Sequence, residues 1–462
     1  MNMNLEKAQK VYKSIFVISC IIFLGCYISL IFNENVWTDE AYTIRLIRKN
    51  TLTQIIAATA DDVHPPLYYL MLKVFISIFG DSMITYKLFS IVPLILCYIL
   101  AGTRIKRYWG NNTAILFIFF INAIPSLLEY VVQIRMYSWA MFWVTWAAVS
   151  AFGVYKERRI SDHIQLIIAA LGACYTHNYA MLSCVCIYAF LAIFMIKSPR
   201  QWSISGIVVA LFYSPWLFIL YQQTTNRIGN YWIEPVTVRT VISYVEYLFG
   251  SDIPYSPWML GILCLMTLIQ CLKSINMDRV KALSAICMFT VPVVIALIGI
   301  IVSIVVTPFF IARYLVPCVG LLALFLAIGY GGQKTDLKIL LILFCCVMFV
   351  SAYKINYTKE YGSTRTQELL DYMNENMGEN DYILYNYEIY GFIYQIYFDE
   401  ERTIFLGNMD FSQDFDTLWF FDSCVTPWLD SQTLENYQLQ KEFIGRMGIE
   451  QNEFSLYRIT HK

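Results

Sequence analysis

Long apolar runs separated by short charged clusters set the pattern of this chain. Eleven of these runs are expected to cross a bilayer, near 15–32, 86–103, 113–129, 138–155, 164–175, 179–196, 204–221, 258–272, 282–306, 309–330 and 337–353. When the crossings alternate, Arg104/Lys106/Arg107, Lys156/Arg158/Arg159, Lys197/Arg200, Lys273/Arg279/Lys281 and Lys334/Lys338 all fall on one side. The excess of cations on cytoplasmic loops makes that side the cytoplasm, with the N-terminus inside. Lys7, Lys10 and Lys13 precede a first run too long for a signal sequence, with no small-residue cleavage site, so it reads as a retained span of the plasma membrane.

Two stretches depart from the spanning pattern. The run 67–79 opens on Pro65-Pro66, carries Lys73 and is short for a crossing; it predicts a helix at the outer interface. In 42–60, Ile44, Leu46, Ile47, Ile55 and Ile56 alternate in clusters with Arg45, Arg48 and Lys49, an amphipathic pattern. Together they give an elaborate first external loop over 33–85. From 356 onward charge returns, and short apolar runs at 382–385, 403–406 and 418–421 follow a helix-like 364–376. The expected architecture is therefore mainly α: a polytopic membrane helical bundle over 1–355, followed by a small extracytoplasmic α/β domain over 356–462.

Composition agrees with this pattern, since 58% of the 462 residues are hydrophobic and 15% charged. That composition makes membrane lipids the surroundings, and a net charge of −1 gives no global field that argues for nucleic acid. Of thirteen cysteines all but Cys424 lie in or beside apolar runs, where thiols act as small hydrophobes, and neither a disulfide framework nor a zinc spacing is visible.

The orientation, fixed from basic loops alone, places every candidate for chemistry on the external side. These are Asp39 and Glu40 after the first span; Asp62 and His64 before Pro65-Pro66; Arg135 and Tyr137 in Gln133-Ile134-Arg135-Met136-Tyr137; His177 in Thr176-His177-Asn178-Tyr179; Tyr231 and Trp232; and Arg313 and Tyr314. Arginines can anchor a phosphate, a carboxylate can act as base, and aromatic faces suit the apolar faces of a sugar.

The order of these motifs, from the Asp39-Glu40 pair through His64-Pro65-Pro66-Leu67-Tyr68-Tyr69 to Arg313-Tyr314, resembles the polytopic GT-C glycosyltransferases. The nearest relatives are the bacterial branch of the protein O-mannosyltransferase and aminoarabinose lipid A transferase superfamily. The resemblance runs from Trp37 to Pro317 and rests on order and shared face, since no single motif is specific. It implies an inverting transferase that takes sugar from a polyprenyl phosphate donor to a lipid, glycan or protein acceptor on the outer face. Asp39 would be the general base, with Glu40 assisting; Arg135 and Arg313 would clamp the leaving phosphate. No required cofactor is implied. Asp62, His64 and Glu40 are ligand types that suit a divalent cation but lack a defined spacing.

Each residue also has a plainer reading. Asp39 is suited to an exposed helix N-terminus, His64 and Asp62 to capping the helix that follows the prolines, and His177 to a tight hairpin. The arginines suit snorkelling, and Tyr231 and Trp232 an interfacial belt. The competing function is a glycolipid transporter or flippase, which calls for polar groups near the midplane and repeated halves. A polymerase or ligase of diphosphate-linked glycans is disfavoured by the early acidic pair.

Overall fold

The computed structural model describes residues 2–33, 35–227, 233–361, 364–450 and 452–462. The chain divides into two compact units, Met1–Phe32 with Thr51–Asn356, and Asn33–Asn50 with Tyr357–Lys462.

The first unit is a helical membrane bundle. Among the described residues seven helices are long and apolar enough to cross a membrane by length and composition, or eight if one bent pair is a single span. The chain is thus an integral membrane protein. Tyr137–Lys156 is buried along nearly its whole length, and Ile160–Thr176, Asn178–Phe194 and Val319–Tyr330 pack around it. Helix starts follow local chemistry: the Ser82 hydroxyl accepts the Thr85 N–H at the head of Met83–Leu100, and Asp278 accepts the Lys281 N–H at the head of Arg279–Val305.

Several boundaries differ from the pattern-based expectation. The run 113–129 is not one straight helix. It breaks into Asn111–Ala123 and Pro125–Val132, bent by 78°. The cause is local, because Ile124 precedes a proline and is driven out of the helical region to φ −82°, ψ 108°. The run 309–330 begins as extended chain and a 3-10 segment, Ala312–Cys318, before the helix Val319–Tyr330. The amphipathic stretch 42–60 is two helices, Thr38–Lys49 and Leu52–Asp61, the second capped by a reciprocal Thr51–Gln54 pair. The helix Leu67–Phe79 has the bounds expected from the sequence. A further helix, Val238–Phe249, buries Tyr244, Leu248 and Phe249 and was not anticipated.

The second unit is a small α/β fold. Five strands, β1 (Tyr382–Tyr385), β2 (Thr403–Phe405), β3 (Leu418–Asp422), β4 (Leu439–Ile449) and β5 (Asn452–His461), form one sheet in the order β2-β1-β3-β5-β4. The first three run parallel, and β5 pairs antiparallel with β3 and β4. Leu384, Phe415, Leu418, Phe420, Leu439 and Ile459 lie in its core. Thr38–Lys49 belongs here: Tyr42 lies edge-on to Phe392 with ring centroids 5.7 Å apart, the Arg45 guanidinium sits 5.3 Å over the same ring, and Lys49 pairs with Glu400. Asn33–Asn50 thus belongs to the same compact unit as the C-terminal residues, and 51–85 to the bundle unit.

Candidate functional site

In the membrane unit the sequence candidates converge on one end of the bundle, carried by four connections. The first is the turn between Leu52–Asp61 and Leu67–Phe79, which holds Asp62 as the helix C-cap, then His64 and the two prolines. The second joins Pro125–Val132 to Tyr137–Lys156 and contains Arg135. A third is the single non-helical residue between Ile160–Thr176 and Asn178–Phe194, which is His177. The last is the entry to the 3-10 segment, with Arg313 and Tyr314.

Specific bonds hold these connections together. The Asn178 amide donates to the Val63 carbonyl at 3.0 Å, tying the His177 hairpin to the His64 turn. Ser303 Oγ accepts the Phe310 N–H, and the Tyr244 hydroxyl donates to the Phe310 carbonyl at 2.7 Å, fixing the segment before Arg313. Gly299 lies so close to Phe310 that a methyl group there would overlap the ring.

As a result His64 stacks on His177 with ring centroids 5.8 Å apart, Tyr137 lies 5.4 Å from His177, and Tyr314 lies 5.6 Å from it. Tyr314 also stacks on Tyr179 at 4.6 Å. Arg135 and His177 are buried, whereas His64, Arg313 and Tyr314 are half-buried, so the cluster reaches the surface on one side. Burial, and then the charges of Arg135 and Arg313, push the His177 imidazole down to about 3. Burial is also the main cause for His64, which is held well below its usual value, with Arg135, His177 and Arg313 adding to it. Both imidazoles are therefore neutral beside two guanidinium groups. Such a set offers hydrogen-bond donors to an anion, with aromatic walls around it.

Asp39 and Glu40 lie in the other unit, in the first turn of Thr38–Lys49. Glu40 is buried and accepts the Trp37 N–H at 3.0 Å, a capping role; Asp39 is half-exposed. Tyr231 and Trp232 lie outside the described residues. Among the described residues no group of three or more His, Cys, Asp or Glu is placed to hold a metal ion.

Sequence reading missed Lys87. It is 2% exposed in Met83–Leu100, two residues before Phe89, whose carbonyl accepts the Trp139 indole N–H and whose ring packs on Trp139 at 5.0 Å. That places Lys87 near the Tyr137 end of the central helix. A lone ionisable residue in an apolar run is a functional-site signal, and here it was absorbed into a span.

No protein-family profile matches the chain, and no curated protein matches it in sequence. Its fold, however, is similar to that of ArnT from Cupriavidus metallidurans, solved bound to undecaprenyl phosphate and in the apo state. Each comparison gives a TM-score of 0.64 at 10% identity, covering 96% of this chain and 97% of that one. A mycobacterial arabinofuranosyltransferase, AftD, aligns with a TM-score of 0.53 at 11% identity over 98% of this chain and 40% of its own. The chain has an ArnT-like fold.

Proposed function

We propose that the protein is an inverting glycosyltransferase of the GT-C type, moving a sugar from a polyprenyl phosphate to an acceptor hydroxyl at the outer face of the membrane. The carrying observation is the cluster of Arg135, Arg313, His64 and His177 at one end of a membrane bundle with the fold of ArnT, a protein solved with undecaprenyl phosphate bound. Burying cations in a membrane protein is costly unless an anion or a polar network uses them.

In the proposed reaction Asp39 accepts the acceptor's proton as its oxygen attacks the anomeric carbon. The bond from that carbon to the phosphate oxygen breaks, and the phosphate leaves with the electron pair. Arg135 and Arg313 stabilise the charge that develops on the leaving oxygens, which removes the need for a general acid. Asp62, Tyr137 and Tyr314 line the approach to the phosphate, and Glu40 holds the turn that carries Asp39.

The test is incubation of the purified, reconstituted protein with a panel of undecaprenyl phosphate-linked sugars and envelope lipid, glycan and peptide acceptors, read by mass spectrometry. A glycosylated acceptor and free undecaprenyl phosphate are expected. Binding without transfer across the whole panel would favour a flippase. The outward orientation is tested separately with Cys424, the exposed one of the thirteen thiols. A membrane-impermeant reagent should label it in intact spheroplasts; labelling only after lysis would put the C-terminal unit inside.

A further inference from the structure

His177 is 1% exposed, and its ring accepts the Tyr179 N–H at Nδ1, at 3.1 Å, capping Asn178–Phe194. An Nδ1 that accepts carries no proton, so the ring proton of the neutral imidazole sits on Nε2. That atom is buried and has no hydrogen-bond partner among the described residues. Around it are ring neighbours, His64, Tyr137, Tyr179 and Tyr314. A buried donor without an acceptor carries its full desolvation cost, and this one lies within the cluster of motif residues, where a bound ligand can supply the acceptor.

We infer that His177 delivers its Nε2–H to an oxygen of the lipid-linked phosphate, as an uncharged third donor beside the guanidinium groups of Arg135 and Arg313. The inference rests on the phosphate reading of the cluster given above. An anionic oxygen is the acceptor of choice because the two arginines already act on this imidazole electrostatically, and the same charges, with burial, keep it neutral down to about pH 3. Protonation would put a hydrogen on Nδ1, against the Tyr179 N–H that it accepts, and add a further cation to the cluster, so the working form at envelope pH is the neutral donor. If capping were its sole role, a serine or aspartate would serve better than a bulky ring, and neither places a donor at the Nε2 position.

Two substitutions separate the cap from the donor. His177→Asn keeps a side-chain oxygen for the Tyr179 N–H but puts nothing at the Nε2 position. His177→Gln reaches that position with an amide N–H and gives up the cap. Binding of undecaprenyl phosphate to the full-length protein in lipid nanodiscs is measured against undecaprenol, which lacks the phosphate, together with melting temperatures. His177→Asn should melt near the wild-type temperature yet bind undecaprenyl phosphate about tenfold to a hundredfold more weakly, with undecaprenol unchanged. His177→Gln should melt lower and keep affinity to within a few-fold. Wild-type affinity in His177→Asn would reduce the residue to a cap and overturn the inference. Equal weakening for undecaprenol would also overturn it, since the loss would then lie in the lipid contacts. The readout is independent of turnover: a wild-type protein that prefers undecaprenyl phosphate but transfers no sugar removes the transferase and leaves the donor role standing.

Discussion

In the membrane unit Ile78, Leu211, Phe218 and Ile304 are each at least 65% exposed, while Arg135, His177 and Lys87 are sealed inside. The C-terminal unit reverses the arrangement: Leu384, Phe420 and Ile459 are fully buried, and paired charges such as Arg365–Glu453 and Lys49–Glu400 lie at the surface. The first kind of surface suits lipid and the second suits water. What counts as informative therefore changes along one chain. An exposed isoleucine says little about partners in the bundle, and a half-exposed acid such as Asp39 costs little in a unit whose surface carries paired charges. A buried arginine beside a buried histidine in the bundle is expensive and points to use.

The largest effect expected concerns the residue whose surroundings say least. Asp39→Asn keeps size and hydrogen-bonding atoms but cannot take a proton, so turnover should fall about 10²- to 10⁴-fold with donor binding largely kept. Glu40→Gln, which still accepts the Trp37 N–H, should lose far less. Normal turnover in Asp39→Asn would return Asp39 to an ordinary first-turn acid of Thr38–Lys49.

Next in size is a core deletion in the C-terminal unit. Phe420→Ala empties a fully buried position at the centre of β3 and should cost about 3–5 kcal/mol in that unit. Limited proteolysis should cut Tyr357–Lys462 readily while the bundle stays protected. Concerted loss of both units would show that they do not unfold separately.

Arg135→Ala and Arg313→Ala should each weaken use of a polyprenyl phosphate-linked sugar by roughly tenfold to more than a hundredfold, the worth of one charge-assisted hydrogen bond. Lysine should rescue partly, since an ammonium lacks the planar fork. Unchanged donor kinetics in both alanine variants would remove the arginines from the site.

A smaller effect comes from pH. The His177 pKa is depressed in the folded protein, so the unfolded chain binds its proton first as pH falls. Its contribution is complete above about pH 6.5 and is lost as pH drops toward about 3, at about 1.4 kcal/mol per pH unit. Melting temperatures between pH 7 and pH 5 should fall less steeply in His177→Asn than in the wild type. An identical slope would show that His177 titrates normally in the folded protein.

Much of this contrast was legible in the sequence, unevenly and for physical reasons. Leu67–Phe79 stood out because prolines open it and its apolar run is short; the structure adds Gly80 as its C-cap. The break at Ile124 was masked, since Pro125 lies within a continuous apolar run and its effect is on the preceding backbone. Val238–Phe249 was announced by Thr237, which caps it, and by its spaced apolar residues, but its exposed Val238 and Ile242 made no long run. Arg135, His177 and Arg313 could be proposed from motif order; that His64 and His177 stack could not, because Asn178 and Val63 are 115 positions apart. The packing of Thr38–Lys49 with the C-terminal residues depends on still more distant partners, Phe392 and Glu400.

The two arginines of the membrane unit's cluster can be examined without any assumption about sugar or acceptor. The preference of the reconstituted protein for undecaprenyl phosphate over undecaprenol is measured in the wild type and in the Arg135→Ala/Arg313→Ala double variant, with melting curves as a check on folding. A phosphate site predicts a clear preference in the wild type that collapses in a folded double variant, while undecaprenol binding is unchanged. A wild-type protein that binds both lipids equally, or a double variant that keeps the preference, would contradict it.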